Sequence, residues 1–263
     1  MQFLIGCDPE VFVKRNGLFR SAFGLINGDK KNPQKIPNGA VQVDGMALEF
    51  NIDPAHNEDE FALNVQSVFS QLKAMVPGYE VVATPVAHFT AEHMKEQPAA
   101  ALELGCDPDF NAWSGGVNDK PNADRPMRTA SGHVHIGWGN NIDVSSPQHI
   151  SMSNAMGKQM DFFLGLPSLM YDEDTERRSM YGKAGCLRYK PYGMEYRTLS
   201  NAWLNSEKLM RWVCRAAQAG ASQLAEGNAL FNTYGDVQDI INTSDKKEAM
   251  KIIKKANLEV CYG

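Results

Sequence analysis

The chain has 263 residues, 43% apolar and 22% charged, with 22 Gly and 13 Pro, a composition that suits a globular protein and excludes disordered and fibrous classes. Lys and Arg number 26 against 31 Asp and Glu, for a net charge of -5, so the balance lacks the basic footprint of a protein that grips nucleic acid through phosphates. At about 150 residues per domain, the length leaves one large domain or two small ones open.

The opening residues Met1 to Asp8 hold no basic segment and reach an acid at Asp8, which argues against a signal peptide or membrane span and predicts a cytoplasmic protein. Five cysteines without a CxxC pair predict free thiols rather than a disulfide framework or a Cys-rich zinc site. Residues 2–14 read as strand with a break at Pro9, where Asp8 and Glu10 sit. Residues 24–39 read as a loop. Ala40 to Asn51 read as a hairpin around Asp44-Gly45.

A helix is predicted over Glu58 to Val76: Phe61, Val65, Val68, Phe69, Leu72 and Val76 share one face, and Asn57 is placed to cap it. Tyr79 to Thr84 reads as strand, and Pro98 to Arg128 as mixed structure with a long loop. Gly132 to Gly139 alternates as a strand does, which puts His133 and His135 on one face. Ser146-Pro147 starts a helix that should run to about Leu164, before Pro167. Arg188 to Ser200 reads as strand around Gly193, with Glu195 and Arg197 on one face. Asn205 to Ala225 and Ser244 to Ala256 read as helices, the latter with lysines on its exposed side. Gly-Cys-Asp-Pro occurs at Gly6 and again at Gly105 without a repeating period around it.

Asp8 with Glu10, His133 with His135 and Glu195 with Arg197 are each two apart on a strand, and Asp44 and Glu49 flank a hairpin turn. Residues two apart on a strand share a face, and a half-buried sheet would ordinarily make that face apolar. Polar pairs on several strands therefore predict a working sheet face. Carboxylates with an imidazole suit Mg²⁺ or Mn²⁺, and arginines such as Arg177, Arg178, Arg188 and Arg197 can grip phosphate or carboxylate oxygens with two parallel hydrogen bonds. Taken singly, each pair is as compatible with a solvated or structural role as with a functional one.

Their order along the chain resembles the glutamine synthetase-like superfamily of carboxylate-amine ligases. More closely, Gly-Cys-Asp-Pro-Glu-Val-Phe, Val-Asp-Gly-Met-Ala-Leu-Glu-Phe-Asn, Ser-Gly-His-Val-His-Ile-Gly and Tyr-Gly-Met-Glu-Tyr-Arg-Thr-Leu-Ser resemble the phage-type COOH-NH2 ligases, type 2, across residues 3–205. The resemblance implies an α+β fold with a curved, mainly antiparallel sheet and helices on one face. It implies an ATP- and Mg²⁺-dependent ligase, with Mn²⁺ as a substitute, that joins a carboxylate such as that of glutamate to an amine through an acyl phosphate. It matches Asp8, Glu10, Asp44, Glu49, His133 and Glu195 to metal positions, and His135, Arg178, Arg188 and Lys30 to the nucleotide. Arg197 and Arg188 fall on the transferring phosphate or substrate carboxylate, and Glu49 or a neighbour is the candidate base for the amine. The implied partners are the small-molecule acid and amine; neither membrane nor nucleic acid is indicated, and a homo-oligomer stays open. Where the superfamily favours Glu, the first strand carries Asp8, one methylene shorter.

Motifs from Asp8 to Arg197 must converge on one sheet face, so a single catalytic domain over 1–263 is expected. A lid or acceptor loop is expected around 105–128, with Asp107 and Asp109 in it, and a helical part over 205–263. Three rivals remain: a phosphotransferase like the guanidino kinases, a zinc hydrolase using His133 and His135, and a non-catalytic binding module. The zinc reading is weak because only His149 follows those two histidines.

Overall fold

The computed structural model describes residues 2–102, 109–118 and 126–263. The N-terminal half supplies β1 (Leu4–Arg15), β2 (Leu18–Arg20), β3 (Gln34–Ile36), β4 (Gly39–Asp44), β5 (Ala47–Ile52), β6 (Glu80–Val82), β7 (Val86–His88), β8 (Phe110–Asn111) and β9 (Met127–Thr129). The remainder supplies β10 (Gly132–Gly137), β11 (Cys186–Lys190) and β12 (Gly193–Tyr196). The main sheet runs β3-β4-β5-β1-β10-β12-β11-β8 as an open path; β2 and β6 also pair with β1, and β7 and β9 form a separate pair. Its pairings are antiparallel. The fold is thus mixed α/β, built on a large antiparallel sheet.

β1 does not break at Pro9. Leu4 to Pro9 pair with β10, whereas Glu10 and Val11 pair with β5, so the proline falls where the strand exchanges one neighbour for another. A missing N–H matters least at such a point. The Asp44-Gly45 hairpin forms as expected, with Asp44 opposite Ala47 and Gly45 at φ 56°, a conformation glycine adopts without steric cost. The loop expected over residues 24–39 contains the short strand β3, paired with β4. The strand expected around Gly193 is instead the hairpin of β11 and β12. Gly193 approaches the Ile136 carbonyl so closely that an added Cβ would lie 2.0 Å from its oxygen.

Residues with even numbers on β1 face one side of the sheet and those with odd numbers the other. Ile5, Cys7, Val11, Val134, Ile136, Leu187, Met194 and Tyr196 pack on the odd side against the helices Glu58–Met75, Pro147–Met160 and Glu207–Ala225. Asn57 caps the first of these, its side chain accepting from the Glu60 N–H. Phe61, Val65, Val68 and Leu72, predicted as its core stripe, are buried there, each contributing about 1.5–3 kcal/mol of apolar burial.

The helix from Pro147 does not stop before Pro167. It widens into a π-helical turn over Asp161–Gly165 and continues as Leu166–Ser168, with Pro167 in the first turn of that last piece, where a missing N–H is tolerated. The C-terminal helices run Glu207–Ala225 and Lys246–Lys255, within a residue or two of expectation. The second Gly-Cys-Asp-Pro and much of the expected 105–128 loop lie outside the described residues. Cys7, Cys186, Cys214 and Cys261 are buried and free. Among the described residues no helix is long and apolar enough to cross a membrane.

Candidate active site

Register, rather than proximity in sequence, assembles the polar face. Asp8 on β1 lies opposite His133 on β10, His135 opposite Glu195 on β12, and Glu195 opposite Arg188 on β11. On the other flank of β1, Glu10 lies opposite Glu49 on β5, and Glu49 opposite Gln42 on β4. Gly132 opens the histidine strand because an added Cβ would meet Trp203 Nε1 at 2.3 Å and the Ser200 carbonyl oxygen at 2.4 Å.

The first group centres on Glu195, which is fully buried. Its Oε1 pairs with Arg197 and lies 3.4 Å from His133 Nδ1 and 3.9 Å from an Arg188 nitrogen; its Oε2 pairs with Lys190 Nζ at 2.7 Å. Burial and the Asp8 charge push the Glu195 carboxyl up, but Arg197 and the two imidazoles outweigh them and hold it well below the usual carboxylate range. Asp8 behaves likewise. Burial raises it, yet His135 Nε2 at 3.0 Å and His133 Nδ1 at 3.2 Å keep it ionised. His135 is raised because Asp8 overcomes its burial. His133 is lowered by burial and by Arg197, whose nitrogen is 3.2 Å away. Ligand atoms of Asp8, His135 and Glu195 all lie within 4.8 Å of one another, a span that one cation can bridge.

Glu10, Asp44 and Glu49 form a second such group with the same spacing. Burial and the Asp44 charge push the Glu10 carboxyl up to about 7. Burial and the charges of Asp8, Asp44 and Glu10 push Glu49 well above the usual range, although its Oε2 accepts from Gln42 at 2.8 Å. Lys30 Nζ lies 2.8 Å from Asp44 Oδ1; burial lowers its pKa, but the Asp44 charge and hydrogen bond, with the charges of Glu49 and Glu10, together raise it.

Asp8, Glu10, Asp44, Glu49, His133, His135, Arg188, Glu195, Arg197 and Lys30 are therefore brought to one face of the sheet. Two placements differ in detail from the expected ones. His135, expected at the nucleotide, forms a three-ligand group with Asp8 and Glu195, while His133 Nδ1 lies beside it, 3.2 Å from Asp8, 3.4 Å from Glu195 and 3.2 Å from an Arg197 nitrogen. Arg178 does not join this face: its guanidinium is buried against Asp172 at 3.4 Å and the Ile241 carbonyl, where it links the short Glu176–Met180 helix to the C-terminal part. His149 packs against Trp138 and Tyr189 on the helix-covered side, so it supplies no third ligand for a zinc site.

Asp109, Lys190 and Tyr192 were not predicted to join this group. Asp109 Oδ1 pairs with Arg197 Nε at 2.7 Å and lies 3.4 Å from Arg188 Nε, so a residue of the expected loop holds the two arginines. Lys190 is two residues from Arg188, and strand alternation alone would have placed it on the same face. Tyr192, in the β11–β12 turn, hydrogen-bonds His135 and stacks on its ring at 5.9 Å; no sequence signal marks it.

A sheet face that carries two acid groups beside paired arginines is one that can handle metal ions and phosphate oxygens together. The chain belongs to the phage phiEco32-like COOH.NH2 ligase-type 2 family, whose model matches residues 129–261. The family name denotes an enzyme that joins a carboxyl group to an amine. The match takes in His133, His135, Arg188, Glu195 and Arg197, whereas Asp8, Glu10, Asp44 and Glu49 reach the same face through the pairing of β1 with β10 and β5. None of the curated proteins matches the chain.

Proposed function

We propose that this protein is an ATP- and Mg²⁺-dependent ligase of the glutamine synthetase-like kind, which activates a carboxylate as an acyl phosphate and passes the acyl group to an amine. The observation that carries this reading is the placing of two carboxylate groups, one with an imidazole, beside Arg188 and Arg197 on one sheet face. Asp8, His135 and Glu195 would hold one divalent ion and Glu10, Asp44 and Glu49 another; their mostly oxygen donors suit Mg²⁺ or Mn²⁺ better than zinc. Such ions supply positive charge against phosphoryl oxygens.

A free carboxylate is a poor acyl donor, which is the chemical reason to use ATP. Its oxygen attacks the γ-phosphorus and ADP departs; the amine nitrogen then attacks the acyl carbon, phosphate departs, and the nitrogen gives up a proton. Arg188 and Arg197, which both meet Asp109, would hold the oxygens on which charge builds. Glu49 or its neighbour Glu10 is the candidate base for the amine, since a carboxylate within hydrogen-bond reach of the attacking nitrogen can take its proton. Lys30, half-exposed beside Asp44, would meet nucleotide phosphates.

The test is release of ADP and phosphate from ATP with Mg²⁺ across a panel of acids and amines, with Glu195→Gln as the blank. Amine-dependent turnover with an amide product supports the ligase. A phosphorylated acceptor that persists would make the protein a phosphotransferase, and no turnover above the blank would reduce the site to binding.

A further inference from the structure

Asp161 is fully buried in the π-helical turn, on the sheet side opposite the acids, and no step of the proposed reaction uses it. Three donors from three segments meet on its carboxylate. Trp113 Nε1 donates to Oδ2 at 2.6 Å, while the Tyr196 hydroxyl at 2.6 Å and the Gly185 N–H at 2.9 Å donate to Oδ1. Each donor belongs to a segment that carries a group on the polar face. Tyr196 ends β12, between Glu195 on that strand and Arg197 just beyond it. Gly185 immediately precedes β11, which carries Arg188. Trp113 lies in the same stretch of chain as Asp109.

The contact with that last segment is a built one. Asn111 Oδ1 accepts from the N–H groups of Trp113 at 2.8 Å and Ser114 at 3.1 Å, and the Ala112 N–H donates to the Gly185 carbonyl at 2.8 Å. Among the described residues the segment also meets the sheet through the two-residue strand β8 and through Asp109, which pairs with Arg197 and lies near Arg188. π-helical turns recur where a helix must aim one side chain at a function, and a buried carboxylate is costly unless every oxygen is used.

We infer that Asp161 is a positioning residue: through Trp113, Gly185 and Tyr196 it fixes Asp109, Arg188 and Arg197 relative to one another from beneath the sheet. The inference rests on the proposed ligase site only in taking those three residues as its working groups.

Amide hydrogen exchange on the free protein tests it without substrate. In Asp161→Asn, exchange of the 109–118 and 185–188 amides should rise by about tenfold or more, the loss of a charge-assisted hydrogen bond, while amides of the Glu58–Met75 helix keep their protection. Trp113→Phe is the milder variant, should the first fail to fold. It should free 109–118 alone and remove the most hydrogen-bonded indole N–H signal from the proton spectrum. Unchanged exchange at 109–118 in Trp113→Phe, or loss of protection spread evenly over the chain in a folded Asp161→Asn, overturns the inference. Affinity for a non-hydrolysable ATP analogue with Mg²⁺ adds a second readout: each variant should weaken it and the double variant no further, whereas additive losses also overturn the inference. A wild-type protein that binds no analogue counts against the ligase reading, and the exchange pattern still decides this one.

Discussion

Two residues apart on one strand, Asp8 and Glu10 have carboxyls shifted in opposite directions: Asp8 is held ionised by two imidazoles, whereas Glu10 is pushed to about 7 by burial and Asp44. The difference extends to their surroundings. On the β10 side, Glu195 is met by Arg197, Lys190 and His133, and Asp109 steadies the arginines, so its charges are compensated by the fold. On the β5 side, three acids face one another with Lys30 at the edge, and compensation there is incomplete. In the proposed reaction the first group would serve as a preorganised site for developing charge. The second stores repulsion that a divalent cation would relieve.

The largest effect should come from the compensated group. Glu195→Gln leaves Arg197, Lys190 and His133 without their buried partner, and breaking such a network costs about 3–5 kcal/mol. Turnover should fall by about a hundred- to a thousandfold, read as ADP release alongside a urea unfolding curve. A variant with near wild-type turnover would break the comparison at its stronger end. Next comes the response to metal. Mg²⁺ at about a hundred times its dissociation constant should stabilise the fold by about 2.7 kcal/mol, a rise of roughly 5–10 °C in melting midpoint for a chain of this size. Glu49→Gln should melt higher than wild type without metal and gain less from Mg²⁺. A lower metal-free midpoint would mean that the acids are already compensated.

Period-two spacing makes much of this face legible in the amino-acid sequence alone: Asp8 with Glu10, His133 with His135 and Glu195 with Arg197 each fall on one side of a strand. The order of the strands is not legible there, because β1 meets β10 across more than a hundred residues and only the register shows that Asp8 faces His133. Pro9 misleads because its cost depends on which neighbour lies beside it, a tertiary fact. Arg178 misleads because an arginine beside phosphate and one buried against Asp172 look alike in sequence. Asp161 gives no signal, since one acid on an otherwise core-facing helix reads as an exposed position until its three donors are seen.

The pH dependence of the metal-free protein sharpens the contrast at a smaller scale. Glu10 has a folded pKa of about 7 against an ordinary 4.5, so the folded state holds its proton more tightly. The resulting stability is fully present below pH 4.5 and lost as pH rises to about 7. Asp8 and Glu195 run the other way: their contribution is present above the ordinary carboxylate pKa and lost as pH falls through their depressed values. Subtracting the Glu10→Gln melting profile from the wild-type one isolates the first slope from the histidines. A difference curve that is flat from pH 4.5 to about 7 would place Glu10 among compensated charges.

Lys30 should give the smallest effect. Its side chain is 49% exposed and its partner is Asp44, so its removal should cost less than about 1 kcal/mol of stability. If Lys30 meets nucleotide phosphates at the rim, Lys30→Ala should weaken an ATP analogue by roughly two- to fivefold at low salt. The gap should close as ionic strength approaches about 1 M, where screening acts over about 3 Å. The salt dependence carries the argument, because a buried pair such as Lys190 with Glu195 is much less accessible to screening. A Lys30→Ala loss that persisted undiminished at high salt would place Lys30 inside a desolvated site, and the acid group on the β5 side would then be compensated by its own lysine rather than open to a metal ion.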